Sequence, residues 1–381
     1  MNNNSMIMKI REYSVPLISG VLVALLWANL DYHSYHELVH HKLFGNIDLH
    51  FLVNDVFMVF FFGLAAVEIT TSVLPGGSLN PVKKAITPLW ATLGGVIGPI
   101  AVFFILNALI GSPEFSRGWG IPAATDIALA WLLARMIFGA GHPAVSFLLL
   151  LAIVDDAIGL GIIAVFYPDP YNPVQPIWLL VTLAGMGLAY GLRRYKVKSY
   201  WPYILGGGLL SWIGLFNTHL HPALALVFII PFLPHSPHPS HSTLLNFEHG
   251  WKAFIDFGLF AFGLCNAGVA FSSISNVTWI ILLALIIGKT FGIYIMGYIA
   301  QLIGFPLPDG MNNKDLAMAG VIAGLGLTVA LFVAGVAYTD PEIQGAAKMG
   351  ALFSAVVFVL APILNKVLGM EKTAKKQQSQ G

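Results

Sequence analysis

Apolar residues run along this chain in long blocks, not with the short period of a helix that faces water on one side. Twelve blocks can be drawn, at 14–30, 52–74, 85–110, 121–138, 143–167, 175–192, 201–216, 219–234, 251–272, 277–303, 315–338 and 343–367. About 20 apolar residues in a helix cross the ~30 Å of hydrocarbon in a bilayer. The pattern predicts an all-α polytopic membrane protein with twelve transmembrane helices. The connections are short except 31–51 and 235–250.

Two of the blocks are interrupted. The fourth, GWGIPAATDIALAWLLARM, carries Pro122 and then Thr125 and Asp126 within its apolar run. The eleventh, AGVIAGLGLTVALFVAGV, has Gly320, Gly324, Gly326 and Thr328 near its middle. Each follows the first long helix of a three-helix set, spans 3–5 and spans 10–12. Interrupted helices at matching places in two halves point to an inverted repeat with its binding site at the midplane. Other glycines in the spans, among them Gly94 and Gly98, suit close helix packing in lipid.

Asp155 and Asp156 stand in the middle of LLLLAIVDDAIGLGIIAVFY, residues 148–167. A carboxylate at that depth costs roughly 2.5–3.5 kcal/mol on insertion scales. Further ionisable groups inside spans include Glu68, Asp126, Asp256 and Lys289. Lys289 lies among aliphatic residues in IILLALIIGKTFGIYIM. Desolvation favours a neutral amine there, and a carboxylate partner holds it charged. Neighbours on a helix point about 100° apart. One aspartate of the pair can therefore meet Lys289 while the other faces a cavity with Asp126 and the Thr125 hydroxyl. Oxygen ligands suit hard cations, and the same carboxylates bind protons. Competition between the two is a simple physical basis for antiport. Asp126 and Lys289 have the right signs to offset the partial charges at broken-helix ends.

The chain has 381 residues, of which 57% are hydrophobic and 10% charged. Soluble domains carry about 25% charged residues. The net charge of +1 gives no electrostatic case for a nucleic-acid partner. With one cysteine, Cys265, neither an intramolecular disulfide nor a cysteine metal cluster is expected. No small-residue cleavage site follows the polar start Met1–Glu12, so the first block is read as a span. Twelve spans put both ends on one side. That side then holds fifteen of the 19 basic residues, against Lys42, Arg117 and Lys348 on the other, with Lys289 inside a span. The positive-inside rule makes both termini cytoplasmic. The expected organisation is one transporter domain over 1–381, with an external loop at 31–51 and a polar cytoplasmic tail at 368–381.

GIPAATDIALA, AIVDDAIGLGIIAVFY, THLHPALA, NAGV and LIIGK resemble the NhaA family of sodium/proton antiporters, in order and over nearly the whole chain. The resemblance implies that Asp156 is the main cation and proton site. Asp155 is then its partner, bridged to Lys289 in one state, and Thr125 and Asp126 line the same site. It implies electrogenic export of Na+ or Li+ against H+ uptake at a bacterial inner membrane, with no cofactor. It also implies pH control, with Glu68, Glu248 and His221 matching family positions. Thr70, Thr71 and Ser72 depart from the family's charged cluster after Glu68, and Asp256 is an extra acid that can pair with Lys252 one helical turn away.

Three further features carry expectations. Gly45-Asn46, flanked by alternating apolar residues in HKLFGNIDLHF, predicts a short external β-hairpin. In the family such a hairpin supports a homodimer. His36-Glu37-Leu38-Val39-His40 spells HExxH, the zinc-hydrolase motif, in a loop also holding His33, His41 and His50. His235, His238, His241 and His249 form a second histidine-rich loop, either solvated or able to titrate near neutrality. A membrane zinc hydrolase and a sodium-coupled solute symporter are the alternatives. The first leaves the intramembrane acids unexplained, and the second needs a further polar pocket. An aspartyl protease places its two acids on separate helices, and here they are adjacent. The protein is therefore not expected to be an enzyme.

Overall fold

The computed structural model describes residues 14–45, 47–80, 82–139, 141–169, 172–236 and 242–369. His238, His241 and most of the expected tail lie outside the described residues. The chain divides into two compact units. One contains 15–74 and 160–268; the other contains 75–159 and 269–369.

In the first unit, α1 (Val15–Leu30) leads into α2 (Tyr32–His40), whose N-cap is Asp31. Strands β1 (Lys42–Phe44) and β2 (Ile47–Asp48) then pair antiparallel around Gly45, which has φ +59°. This is the hairpin expected from the turn signal. Helix α3 (Leu49–Val73) follows and includes a π-turn over Leu52–Phe57. Trp212 Nε1 donates to the Asp55 carbonyl of that turn at 2.8 Å. After α7 (Pro176–Arg194) come α8 (Leu209–Thr218) and α9 (Thr243–Asn266). Helices α1 and α9 pack backbone on backbone: a methyl on Gly20 would strike the Phe260 carbonyl, and one on Gly263 would lie 2.9 Å from the Leu17 carbonyl.

Residues 219–234, expected as a span, are not a regular α-helix. They form 3-10 turns at Pro222–Leu224 and Ile230–Phe232, with Val227 and Ile229 bonding back three residues. Pro222, Pro231 and Pro234 lack the N–H that an α-helical ladder requires. A 3-10 turn rises ~2.0 Å per residue against 1.5 Å for an α-helix, so fewer residues cover the same depth.

The second unit contains α4 (Val82–Ile110), a 3-10 segment (Pro113–Ala123), α5 (Ile127–Phe138) and the first part of α6 (Pro143–Phe166). It continues with α10 (Asn276–Leu302), α11 (Asn313–Ala323), α12 (Thr328–Ala337) and α13 (Pro341–Val367). The two interrupted spans are bent pairs. The 3-10 segment and α5 meet at 57°, and α11 and α12 meet at 47°. Among the described residues, six helices are long and apolar enough to cross a bilayer, or up to eight if each bent pair is one span.

Polarity in this unit is inverted relative to a soluble protein. Ile97, Ile105 and Phe291 are more than half exposed, whereas Thr92, Thr278, Asp155 and Lys289 are fully buried. Apolar surfaces face outward and polar groups face in, as hydrocarbon solvent requires. Lys348, counted from the sequence with the outer loops, is instead buried two turns inside α13.

Helices α4 and α10 touch through two matched glycine pairs, Gly94/Gly98 and Gly288/Gly292. Each pair is spaced four residues apart, the small-xxx-small spacing that lets backbones approach in lipid. A methyl on Gly94 or Gly292 would collide with the other's carbonyl, and one on Gly288 would collide with Pro99. Lys289 lies within the second pair, so this crossing sets its depth. Gly292→Ala is expected to lower stability by about 1–3 kcal/mol, the usual cost of overpacking. Gly187→Ala on α7, where a methyl meets nothing within 4 Å, should leave it unchanged. Tryptophan-fluorescence unfolding midpoints of the detergent-purified variants give the comparison.

Candidate functional site

Breaking a helix frees backbone groups, and in a membrane no water replaces their partners. The second unit has two breaks, which leave two helix N-termini and two C-termini near one another. Asp126 and Thr125, between the 3-10 segment and α5, answer three of them, and Lys289 of α10 answers the fourth.

Asp126 takes both N-termini. Its Oδ1 accepts from Leu129 N at 3.1 Å, capping α5. Its Oδ2 accepts from Thr328 N at 3.2 Å and from Thr328 Oγ1 at 2.5 Å, at the start of α12. One buried carboxylate therefore faces the positive ends of two half-helices. Its own backbone N–H donates to the Leu325 carbonyl at 2.7 Å, inside the other break.

Lys289 and Thr125 take the C-termini. Lys289 Nζ donates to the Ala123 carbonyl, the end of the 3-10 segment, at 2.6 Å. Thr125 Oγ1 lies 3.0 Å from the Ala323 carbonyl, the end of α11. Lys289 Nζ also donates to Thr125 Oγ1 at 3.0 Å and to Asp155 Oδ2 at 2.7 Å. Both partners of that ion pair are fully buried. Thr125 Oγ1 stands 2.8 Å from the same Asp155 oxygen, and Thr125 N is 3.4 Å from Asp155 Oδ1. A threonine hydroxyl has one proton. It can serve Asp155 or Ala323, but not both at once.

Helix α10 reaches this point through a π-turn over Ala284–Gly288, directly before Lys289. Such turns are rare and recur at functional positions. Gly324 and Gly326 fit against it. A methyl on Gly324 would lie 3.2 Å from Ile286 Cα, and one on Gly326 would lie 2.5 Å from Leu285 Cδ2 and 3.3 Å from the Ala124 carbonyl. Gly326 N donates to Ser354 Oγ at 3.3 Å, and Ser354 Oγ donates to the Ala351 carbonyl at 2.6 Å.

Asp156 follows Asp155 on α6, about 100° round the helix, and is 7% exposed. The second unit therefore concentrates three acids, one amine and the hydroxyls of Thr125 and Thr328 where both broken spans pass. Carbonyl, carboxylate and hydroxyl oxygens are the donor types a small hard cation takes up, and the carboxylates exchange protons.

The family model described as Na+/H+ antiporter 1 matches residues 5–365. The chain belongs to the Na+/H+ antiporter 1 family. Among the relatives of this chain, the Na(+)/H(+) antiporter NhaA of Desulfitobacterium hafniense is 66% identical to it over 378 residues, covering 97% of each chain. The Na(+)/H(+) antiporter NhaA of Geobacter sulfurreducens is 62% identical over 373 residues, covering 95% of this chain and 98% of its own. A solved structure, the sodium proton antiporter MjNhaP1 from Methanocaldococcus jannaschii at pH 8, shares the fold. It has a TM-score of 0.52 at 17% identity, covering 94% of this chain and 99% of that one.

For this antiporter-family chain, the remaining expected residues fall in the first unit. Glu68, on α3, lies in the electrostatic field of Lys252 and Glu248 on α9. His221 is the half-buried N-cap of the Pro222–Leu224 turn. His36 and His40 lie one turn apart on α2, with ring centroids 4.5 Å apart and planes tilted by 43°. His40 Nδ1 is 3.3 Å from Asp48 Oδ2, tying α2 to the hairpin. Among the described residues, no group of three or more His, Cys, Asp or Glu side chains is arranged to hold a metal.

The sequence did not reveal the carbonyls of Ala123, Ala323 and Leu325, nor Ser354. Their signal is the proximity of two breaks some 200 residues apart, which no local pattern carries. Removing the Lys289 charge should expose how much the site depends on it. Lys289→Met leaves Asp155 a buried, uncompensated charge, with an expected loss of about 3–5 kcal/mol. Adding Asp155→Asn to that variant should recover part of the loss, a coupling that a double-mutant cycle of unfolding midpoints measures.

Proposed function

We propose that this protein exports Na+ or Li+ from a bacterial cell across the inner membrane in exchange for H+, electrogenically and under pH control. The observation that carries this reading is the fully buried Lys289–Asp155 ion pair at 2.7 Å, adjacent to Asp156 and joined to both broken spans. Membership of the Na+/H+ antiporter 1 family supports the same exchange.

In the proposed cycle Asp156 and Asp155 supply carboxylate oxygens to the incoming cation, with Thr125 and Asp126 lining the site. A sodium ion at Asp155 takes the place of the Lys289 ammonium. The displaced ammonium is then a buried charge without a carboxylate, and releasing its proton removes that charge. Asp156 gives up a second proton to bind the ion. Two protons then return inward for each cation exported. Each net charge that moves inward gains about 2.3 kcal/mol per 100 mV, so the membrane potential drives extrusion. The transported ions are cargo, and no cofactor enters the cycle.

The wider reading follows the same resemblance. The chain forms one transporter domain of twelve spans, with spans 3–5 and 10–12 as an inverted repeat and both termini in the cytoplasm. Glu68, Glu248 and His221 take part in pH control. The external hairpin holds a homodimer together.

Everted vesicles from cells lacking their own antiporters test the exchange. With a respiratory pH gradient in place, Na+ and Li+ should collapse the gradient in wild type when the external pH is scanned from slightly acidic to alkaline. K+ should not collapse it, and Asp156→Asn should respond to none of the three. A wild-type protein in the membrane without any cation response would overturn the proposal. For the hairpin, deletion of 43–50 should shift the protein from dimer to monomer on native gels.

A further inference from the structure

Lys348 is 7% exposed on α13, a helix whose chain neighbours are nearly all apolar or small. An ionisable side chain held inside a membrane-spanning helix is retained for a reason more often than by accident. The exchange cycle above does not use it.

Two helices give its axial offset from the crossing of the broken spans. On α13, Ser354 bonds Gly326 in the break between α11 and α12. Lys348 stands six residues before Ser354, about 9 Å along the helix axis at 1.5 Å per residue. On α12, Thr328 bonds Asp126. Gly335 is seven residues further, about 10 Å along that axis, and a Cβ built on it lies 4.0 Å from Lys348 Cε. The two measures agree. The lysine stem approaches the far end of α12, an axial offset of roughly 10 Å from the crossing of the broken spans.

The same end of α12 is held by Gln344, one turn before Lys348. Its Nε2 donates to the carbonyls of Gly335 at 3.0 Å and Tyr338 at 2.9 Å. Positive charge is favoured at a helix C-terminus, so Lys348 sits on the correct side of α12, as Asp126 does at its N-terminus. Of the charged residues on neighbouring elements, Glu114 and Arg117 of the 3-10 segment and Glu342 of α13 are exposed. Water and salt screen those groups, whereas they screen a buried charge far less.

We infer that Lys348 tunes the ion site electrostatically: its buried charge, on the α12 side, holds sodium affinity low enough for the ion to leave. At ~10 Å and an effective dielectric constant of ~20, one unit charge changes a cation's binding constant by about tenfold. A transport site must bind an ion well enough to admit it and weakly enough to release it. The inference rests on Asp155 and Asp156 being the ion site.

The test measures apparent KM for Na+ and maximal exchange rate in everted vesicles, at a pH where wild type is fully active. Lys348→Gln and Lys348→Met should lower KM about 3–10-fold and slow maximal exchange, as expected from the loss of one charge at that distance. Lys348→Arg, which keeps the charge, should stay close to wild type. Gln344→Lys keeps donors for the Gly335 and Tyr338 carbonyls and adds a charge one turn away, so it should raise KM. Unchanged or raised KM in both neutral variants, at normal membrane levels, overturns the inference. If those two variants fail to accumulate, Gln344→Lys decides alone, and an unchanged or lowered KM overturns it. Asp156→Asn is run alongside. Full activity in that variant would refute the underlying site, whereas loss of activity there with normal KM in the Lys348 variants would refute only the tuning.

Discussion

A buried ammonium and a buried carboxylate 2.7 Å apart are costly to assemble and more costly to separate. Much of the second unit is arranged so that this pair can exist. Lys289 does not rest on Asp155 alone. It also donates to a helix-terminal carbonyl and to Thr125, so three acceptors meet its three N–H groups. Asp126 provides the opposite service for two helix N-termini. The two broken spans and the charges at their crossing therefore stabilise one another. Continuous helices would offer no free ends for these side chains, and free ends without these side chains would be orphaned in hydrocarbon.

Such an arrangement demands that backbones come close, which explains the glycines around it. The α4–α10 contact through Gly94, Gly98, Gly288 and Gly292 brings Lys289 within reach of Ala123. The fit of Gly324 and Gly326 against the π-turn admits the second break to the same place. Small residues spread along spans have a bland reading as general packing. Here two pairs of them define the depth and direction of one lysine.

What could be read from the sequence follows from how far each signal reaches. Thr125, Asp126, Asp155, Asp156 and Lys289 were legible because an ionisable or polar residue in an apolar block is conspicuous by itself. Pro122 and Gly324 marked the breaks for the same reason. The Gly45-Asn46 turn signal located the hairpin. The backbone carbonyls and Ser354 were not legible, because their role depends on two distant breaks meeting. Residues 219–234 had the composition of a span, but three prolines removed the donors an α-helix needs, and the segment folded into 3-10 turns. The span pattern puts Lys348 with the outer loops because it lies close to the start of its apolar block. Proximity to a span's end does not distinguish a lysine that reaches outward from one that packs inward against Gly335.

The network also constrains how exchange can proceed. In the break between α11 and α12, backbone groups of Ala323, Gly324, Leu325, Gly326 and Thr328 all have hydrogen-bond partners, several of them side chains from other elements. Pulling these contacts apart at every turnover would leave several buried polar groups unsatisfied at once, each costing about 1–3 kcal/mol. Exchanging a sodium ion for the Lys289 ammonium at Asp155 avoids that cost. One positive charge replaces another beside the same carboxylate, while Asp126 keeps both helix N-termini and the glycine contacts keep their spacing. On the proposed cycle, the scaffold can therefore stay intact while the charge at its centre changes identity. This is the advantage of placing a titratable amine, in preference to a permanently charged guanidinium, opposite Asp155: an amine can leave the site as a neutral group.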